Sequence, residues 1–193
     1  LGKNLLAWSG GCDSTALLIN YLNDNKQIRT FSVSHPQISA TPYEHIARKK
    51  LKKMLEKISG NKFEHTNVKI SGGEIINIGC GGLPQVGAWL AHGINNLRVD
   101  EDLICGYIRT DDVWHYKSSV IDAFESHKKV VGKQDCSICF PFEWVDKREV
   151  IDTLCKFGLL NHTWYCEYPT KNHKRCGKCR KCAEIRMLVA GCS

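Results

Sequence analysis

The chain predicts an α/β fold, a doubly wound and mainly parallel sheet with a small C-terminal segment, and three features carry that expectation. Apolar runs of strand length alternate with segments of helical period over the first 160 residues. The first run, Leu5-Leu6-Ala7-Trp8, ends in the glycine-bearing turn Ser9-Gly10-Gly11-Cys12-Asp13-Ser14, and helical spacing follows at once in Thr15-Ala16-Leu17-Leu18-Ile19. Beyond the last alternation, Cys166, Cys176, Cys179 and Cys182 crowd together. Residues 1–160 are therefore expected to form one α/β domain, with residues 161–193 a cysteine-bearing segment packed on it.

Taken in order, the first helix runs from Thr15 to Asn23, and Ile28 to Ser34 alternates enough to be the second strand, stopping at His35-Pro36-Gln37. Pro42 to Ile58 sets Ile46, Ala47, Leu51, Met54, Leu55 and Ile58 at helical spacing, with Thr41 as a cap and Gly60 beyond its end. This is the longest expected helix. Phe63 to Ile70 reads as a third strand, Gly72-Gly73 and Gly79 to Gly82 punctuate loops, and Leu83 to Leu90 opens a helix with Pro84 in its first turn. Asp102 to Tyr107 is a further strand ending in Ile108-Arg109-Thr110-Asp111-Asp112. Ser118 to Lys128 is helix, Ile138 to Phe142 the last strand, and Lys147 to Phe157 a helix closed by Gly158. Strands joined through helices form βαβ units, and such sheets bind ligands outside the carboxyl ends of their strands. The Ser9 to Ser14 turn falls at one of these ends.

Composition narrows the function classes. With 193 residues, 42% hydrophobic and 24% charged, the chain has material for one sizeable core. No apolar run reaches the roughly 18 residues of a membrane helix. The sequence enters its first strand without a basic leader and cleavage site, so a cytoplasmic location is expected and no membrane partner. Net charge is +7, much of it in two runs, Arg48 to Lys57 and Lys171 to Lys181. The first reads as the solvated face of a helix and the second surrounds cysteines, so nucleic acid is not the expected partner. Eleven cysteines, an odd number in a chain without an export signal, point to reduced thiols and metal binding.

Glycines let backbone approach an anion closely, and the unpaired N–H groups at the mouth of a helix, with the positive end of its dipole, suit a phosphate. A plain strand-to-helix turn capped by Asp13 or Ser14 is the alternative. No Gly-Lys-Ser/Thr follows, which excludes a Walker-type loop. Near the C-terminus, Cys176-Gly177-Lys178-Cys179-Arg180-Lys181-Cys182 contains two C-x-x-C turns sharing Cys179, and Cys166 stands nine intervening residues upstream. Four soft ligands at this spacing can converge on one tetrahedral ion, zinc first. An iron–sulfur run would want Cys-Pro after three more residues, and Ala183 to Met187 offers neither. Lys174, Arg175, Lys178, Arg180 and Lys181 offset the charge, about −2, of a zinc tetrathiolate. Cys136 and Cys139 form another C-x-x-C, read as core or pocket thiols.

The turn resembles SGGxDS, the pyrophosphate loop of the N-type ATP pyrophosphatases. Thr163-Trp164-Tyr165-Cys166 followed by the Cys176 to Arg186 pattern is similar to the 7-cyano-7-deazaguanine synthase (QueC) family, as is Asp146-Lys147-Arg148-Glu149-Val150-Ile151 between them. The middle departs: Leu83-Pro84-Gln85-Val86 stands near that family's Pro-Gly-Arg-Asn element, and Arg109 to Tyr116 near its Tyr-Pro-Asp-Cys-Arg segment.

The resemblance implies an adenine nucleotide alpha hydrolase-like fold and ATP-dependent activation of a 7-deazapurine carboxylate. It places ATP against Trp8, Ser9, Gly10, Gly11, Cys12, Asp13, Ser14, Thr15, Ala16, Leu17 and Leu18. Ser14, Asp13 and Lys147 are the implied catalytic residues, with Mg²⁺ helping to neutralise the phosphates. Structural zinc falls to Cys166, Cys176, Cys179 and Cys182. Asp111 or Asp112 would accept from the guanidine-like edge of a deazaguanine, with Trp114 or Tyr116 stacking on it; an N-cap acid and packing aromatics are the alternatives. The implied partners are small molecules, namely the carboxylate, ATP and ammonia, and a homodimer is left open. Two other readings stay open, a tRNA-modifying enzyme with the same loop, and a family member recruited to phage DNA modification or antiphage defence that joins the carboxylate to another amine.

Overall fold

The computed structural model describes residues 3–34, 38–70, 83–170 and 174–190. The expected loops at Gly72-Gly73 and Gly79 to Gly82, and the His35-Pro36-Gln37 stop, lie outside the described residues.

Five parallel strands form the sheet: β1 (Lys3–Ala7), β2 (Ile28–Ser34), β3 (His65–Lys69), β4 (Glu101–Ile104) and β5 (Ile138–Cys139), in the order β3-β2-β1-β4-β5. The helices are α1 (Cys12–Asn23), α2 (Thr41–Ser59), α3 (Leu83–Asn96), α4 (Lys117–Val130), α5 (Lys147–Lys156) and α6 (Arg180–Val189), with short 3₁₀ turns at Asp112–Tyr116 and Leu160–His162. The period of the strands sorts the core into two layers. Leu6, Ile28 and Ile104 face α1, α2, α5 and α6, whereas Leu5, Phe31, Val33 and Leu103 face α3 and α4. Both faces are covered, as a parallel sheet requires.

Local chemistry sets most boundaries. Pro42 enters α2 in its first turn and Gly60 ends it at φ +73°. Glu149 accepts the Asp146 N–H at 3.0 Å and fixes the start of α5. Helix α3 runs on to Asn96 because Ile94 extends its buried stripe. The last strand is shorter than the sequence suggests. Pro141 has no N–H to donate, and the Phe140 carbonyl accepts from Glu143 N at 3.1 Å, so the chain turns away after Cys139. Helix α6 was not anticipated; Cys182 and Ile185, one turn apart, are its buried residues. Among the described residues no helix is long and apolar enough to cross a membrane.

The strand order determines where a ligand can sit. From β1 the chain moves outward through β2 and β3, then returns to lay β4 on the other side of β1. The crevice at the carboxyl ends of β1 and β4 is therefore the switch point of the sheet. At the opposite end Arg29 grips Glu101 through Nε–Oε1 at 2.7 Å and Nη2–Oε2 at 2.6 Å, locking β2 to β4.

Candidate active site

The phosphate-type loop connects β1 to α1 and opens into that crevice. Gly10 holds φ +87°, a conformation that side chains disfavour, and a Cβ there would fall 2.8 Å from Arg48 Cγ and 3.2 Å from the Glu44 carbonyl. Behind the loop, the Ser9 carbonyl accepts from Arg48 Nη1 at 2.5 Å and the Gly10 carbonyl from Trp164 N at 2.9 Å. In front, Ser9 Oγ accepts from Gly11 N at 3.1 Å and lies 3.2 Å from Ser14 Oγ. Across the crevice, a Cβ on Gly106 would meet Ser14 Cα at 3.2 Å, so a side chain there would push the end of β4 and the loop apart by a few tenths of an ångström.

The residues singled out in the sequence divide into two groups. Ser9, Gly10, Gly11, Asp13 and Ser14 stand at the loop with Lys147. Trp8, Cys12, Thr15, Ala16, Leu17 and Leu18 have their side chains in the core. Trp8 Nε1 donates to Thr15 Oγ1 at 3.0 Å, and Cys12 Sγ lies 3.4 Å from Thr163 Oγ1, so this second group braces the loop from beneath. Burial pushes the Cys12 thiol up to about 11, and it stays protonated at neutral pH.

Lys147, at the start of α5, has its side chain only 16% exposed. Its Nζ donates to Asp13 Oδ1 at 2.7 Å and to Oδ2 at 2.8 Å across 134 residues of sequence. Burial works against the ammonium, but the Asp13 carboxylate outweighs it and raises the lysine pKa. An ion pair between Arg109 and Asp146 at 2.7 Å, and the bond from Arg109 N to Val145 O at 3.1 Å, tie the segment after β4 to the start of α5.

In that segment Asp111 is half-buried and accepts the Ile108 N–H at 2.8 Å, whereas Asp112 is exposed. Burial raises the Asp111 pKa, the Ile108 bond opposes it, and Asp13 adds to the rise. Trp114 donates from Nε1 to Ile108 O at 2.6 Å and packs edge-on against Phe140, so it shapes the segment. Tyr116 is 49% exposed.

Arg48 is the residue at this site that sequence reasoning missed. It heads a basic run that reads as a solvated helix face, yet it is 2% exposed. The signal was present in its spacing, because Arg48 falls on the same stripe of α2 as the buried Leu51 and Leu55.

The sulfurs of Cys166, Cys176, Cys179 and Cys182 all lie within 4.8 Å of one another, so the four can hold a metal ion. Cys176 N donates to Cys166 Sγ at 3.1 Å, and Lys178 N and Cys179 N donate to Cys176 Sγ at 3.4 and 3.3 Å. These N–H groups lower the Cys176 pKa to about 6, favouring the thiolate that a metal needs. The cluster adjoins the loop: Tyr43 stacks on Trp164 at 4.7 Å, and Arg175 lies 4.2 Å from the Tyr165 ring while donating to Thr163 O at 2.6 Å. Cys136, buried in the α3–α4 layer, and the half-buried Cys139 are not in the cluster.

Three solved structures share this fold. A predicted subunit of tRNA methyltransferase from Methanocaldococcus jannaschii is 18% identical, covering 98% of this chain and 87% of that one, with a TM-score of 0.52. A 4-thiouridine synthetase in complex with RNA and bound ATP is 13% identical over 98% of this chain and 50% of its own, with a TM-score of 0.60. The U34-tRNA thiolase NcsA from Methanococcus maripaludis, with its [4Fe-4S] cluster, is 13% identical over 98% and 65%, with a TM-score of 0.52. No curated protein sequence matches the chain. The family model described as queuosine biosynthesis protein QueC matches residues 90–187, just over half of the chain, spanning β4, the Arg109 to Tyr116 segment, α5 and all four clustered cysteines. By its second half, and with a phosphate-type loop at the head of its first helix, this chain belongs to the QueC family.

Proposed function

We propose that the chain is an AMP- and pyrophosphate-forming carbon–nitrogen ligase that activates 7-carboxy-7-deazaguanine with ATP and joins it to ammonia, leading to 7-cyano-7-deazaguanine. The observation that carries this reading is the Lys147–Asp13 pair at 2.7 Å beside a phosphate-type loop, in a chain of the QueC family. The substrate carboxylate oxygen attacks the α-phosphorus and pyrophosphate leaves. Ammonia nitrogen then attacks the acyl carbon and AMP departs with one carboxyl oxygen, giving the amide; a second activation removes the remaining oxygen as AMP and leaves the nitrile. Loop N–H groups, the Ser9 and Ser14 hydroxyls and the Lys147 ammonium meet the charge that develops on the pyrophosphate. Mg²⁺ supplies further positive charge when it arrives with the nucleotide. Both Asp13 oxygens are engaged by Lys147, so Asp13 acts first as the orienter of that cation. Asp111 and the exposed Tyr116 ring are the groups proposed to read and stack on the deazapurine, while Trp114 supports the segment and Asp112 stays in solvent.

The metal is proposed to be zinc with a structural role. A zinc tetrathiolate with bonds of about 2.3 Å places its sulfurs about 3.8 Å apart. The Cys176 and Cys182 sulfurs stand at 4.0 Å, and an iron–sulfur cube, binding each thiolate to a different iron, spreads its ligands farther. Residues 161–193 are proposed as a zinc-bearing segment on the 1–160 domain, to which Ile185 contributes core. A cytoplasmic setting suits these reduced thiols.

A second reading, activation of a tRNA base with the same loop, is favoured by the structural neighbours, all named for tRNA or RNA. Mass spectrometry of ATP reactions offered 7-carboxy-7-deazaguanine, with and without ammonia, separates the readings. Amide or nitrile with AMP supports the ligase. AMP release only with tRNA supports the second reading, as incorporation of another amine supports recruitment to DNA modification or defence. Asp13→Ala or Ser14→Ala should abolish AMP release in a folded protein, and formation of ADP and phosphate would refute the pyrophosphatase assignment.

A further inference from the structure

Arg48 is buried between α2 and the corner of the phosphate-type loop, held by its Nη1 bond to the Ser9 carbonyl. Its remaining donors, Nε and Nη2, are buried and have no acceptor among the described residues. These two atoms form the side-on edge of the guanidinium, the edge that matches two oxygens of one carboxylate or phosphate. The same chain shows that edge satisfied, where Arg29 offers Nε and Nη2 to the two oxygens of Glu101. Arg48 repeats the donor geometry with no acceptor among the described residues.

A guanidinium cannot escape burial by shedding its proton, and native structures rarely leave such donors unpaired. The polar side chains of the neighbouring strands are taken up by one another. Ser32 and Ser34 both donate to Asn67 Oδ1 at 2.8 Å, and His65 is held between the Thr30 and Ser32 hydroxyls at 2.8 and 3.2 Å. Glu44, one turn earlier on α2, is close enough for its charge to act on Arg48 yet supplies no acceptor to this edge. The loop is moulded to the arginine as well, since any Cβ on Gly10 would collide with Arg48 Cγ. Among the described residues this edge meets no acceptor, and its guanidinium is bonded to the Ser9 carbonyl at the first residue of the loop where phosphates are expected.

We propose that the Nε/Nη2 edge of Arg48 is an oxyanion seat of the nucleotide site, filled when ATP or the substrate carboxylate enters beside the loop. The inference rests on the ATP reading above and adds to it a binding residue outside the Ser9 to Ser14 loop. The edge is shielded from solvent, so the bond to an oxyanion requires the loop corner to adjust.

The test is ¹⁵N NMR of the arginine Nε–H groups in the unaltered chain, with the Arg48 signal assigned through its own backbone, during titration with pyrophosphate, Mg-ATP and 7-carboxy-7-deazaguanine. The expected result is a downfield shift of that signal at saturation with pyrophosphate and ATP. A shift only with 7-carboxy-7-deazaguanine would assign the seat to the carboxylate. In parallel, Arg48→Lys, which keeps the charge and loses the fork, should weaken binding of that same ligand about 10- to 100-fold and leave adenosine binding unchanged. A signal that stays in place at saturation with every ligand, or an Arg48→Lys variant that binds all of them like the unaltered chain, overturns the seat alone. If the unaltered chain binds neither ATP nor pyrophosphate, the nucleotide reading falls and the seat with it. The NMR arm decides the matter even if the variant does not fold.

Discussion

Replacing Gly10 with alanine tests how tightly the loop is pressed against α2. At φ +87° any side chain is strained, a penalty of roughly 1–2 kcal/mol for an L-residue. The new Cβ would also stand 2.8 Å from Arg48 Cγ and 3.2 Å from the Glu44 carbonyl, and backbone cannot yield as a flexible side chain does. Overpacking of this kind costs about 1–3 kcal/mol, so Gly10→Ala should destabilise the chain by about 2–5 kcal/mol in total. Gly60 and Gly158 provide internal controls, because both have positive φ, +73° and +65°, and no described residue within 4 Å of an added Cβ. Their alanine variants should show the backbone penalty alone, about 1 kcal/mol each. The assay is urea unfolding of the three variants at constant m-value, with ATP titration of each folded protein. ATP affinity should drop for Gly10→Ala and stay unchanged for the controls. A Gly10→Ala variant no less stable than Gly60→Ala would refute the packing of Arg48 beneath the loop. Adding Arg48→Ala, which removes the Cγ, should make the double variant less unstable than the sum of the two by at least about 0.5 kcal/mol.

Cys179→Ser removes the ligand shared by both C-x-x-C turns and should strip bound zinc and loosen the C-terminal segment, since the binding energy of a structural metal is largely folding energy; iron with sulfide in the metal analysis, or full zinc occupancy after Cys166→Ser, would contradict the assignment. Burial holds the His65 pKa down to about 4 against an ordinary 6.5, so on acidification the unfolded chain takes up a proton that the folded chain refuses. Stability should therefore fall as pH drops from 6.5 to about 4, by on the order of 3 kcal/mol, and His65→Gln should flatten that limb in pH-dependent urea melts. Asp111→Ala should lose the Ile108 cap at a cost of about 1 kcal/mol and weaken deazaguanine binding, whereas Asp112→Ala, at an exposed position, should do neither; equal titration curves for the two would remove Asp111 from the substrate site.

Periodicity and residue chemistry were sufficient for the fold class and for most of its elements, though not for α6 or the strand order. Alternation in Ile28 to Ser34, the helical stripe from Ala47 to Leu55, the glycine turn after Ala7 and the C-x-x-C spacing are all local, and local patterns are legible because each repeats with the geometry of its own element. Three decisions belong to the tertiary structure. The family resemblance singles out Lys147, but its position alone equally fits an exposed lysine at a helix start, and only the sheet brings it 2.7 Å from Asp13 across 134 residues. Glycine at position 106 is unremarkable in a strand-end sequence until β4 lies beside β1 and its Cα must pass Ser14. Arg48 shows the limit most sharply. Helical period places it on the buried stripe, while the residue type and its lysine neighbours argue for solvent. Period says which way a side chain points; only the packing of α2 over the β1 corner says what it meets, a carbonyl for one nitrogen and, among the described residues, no acceptor for two.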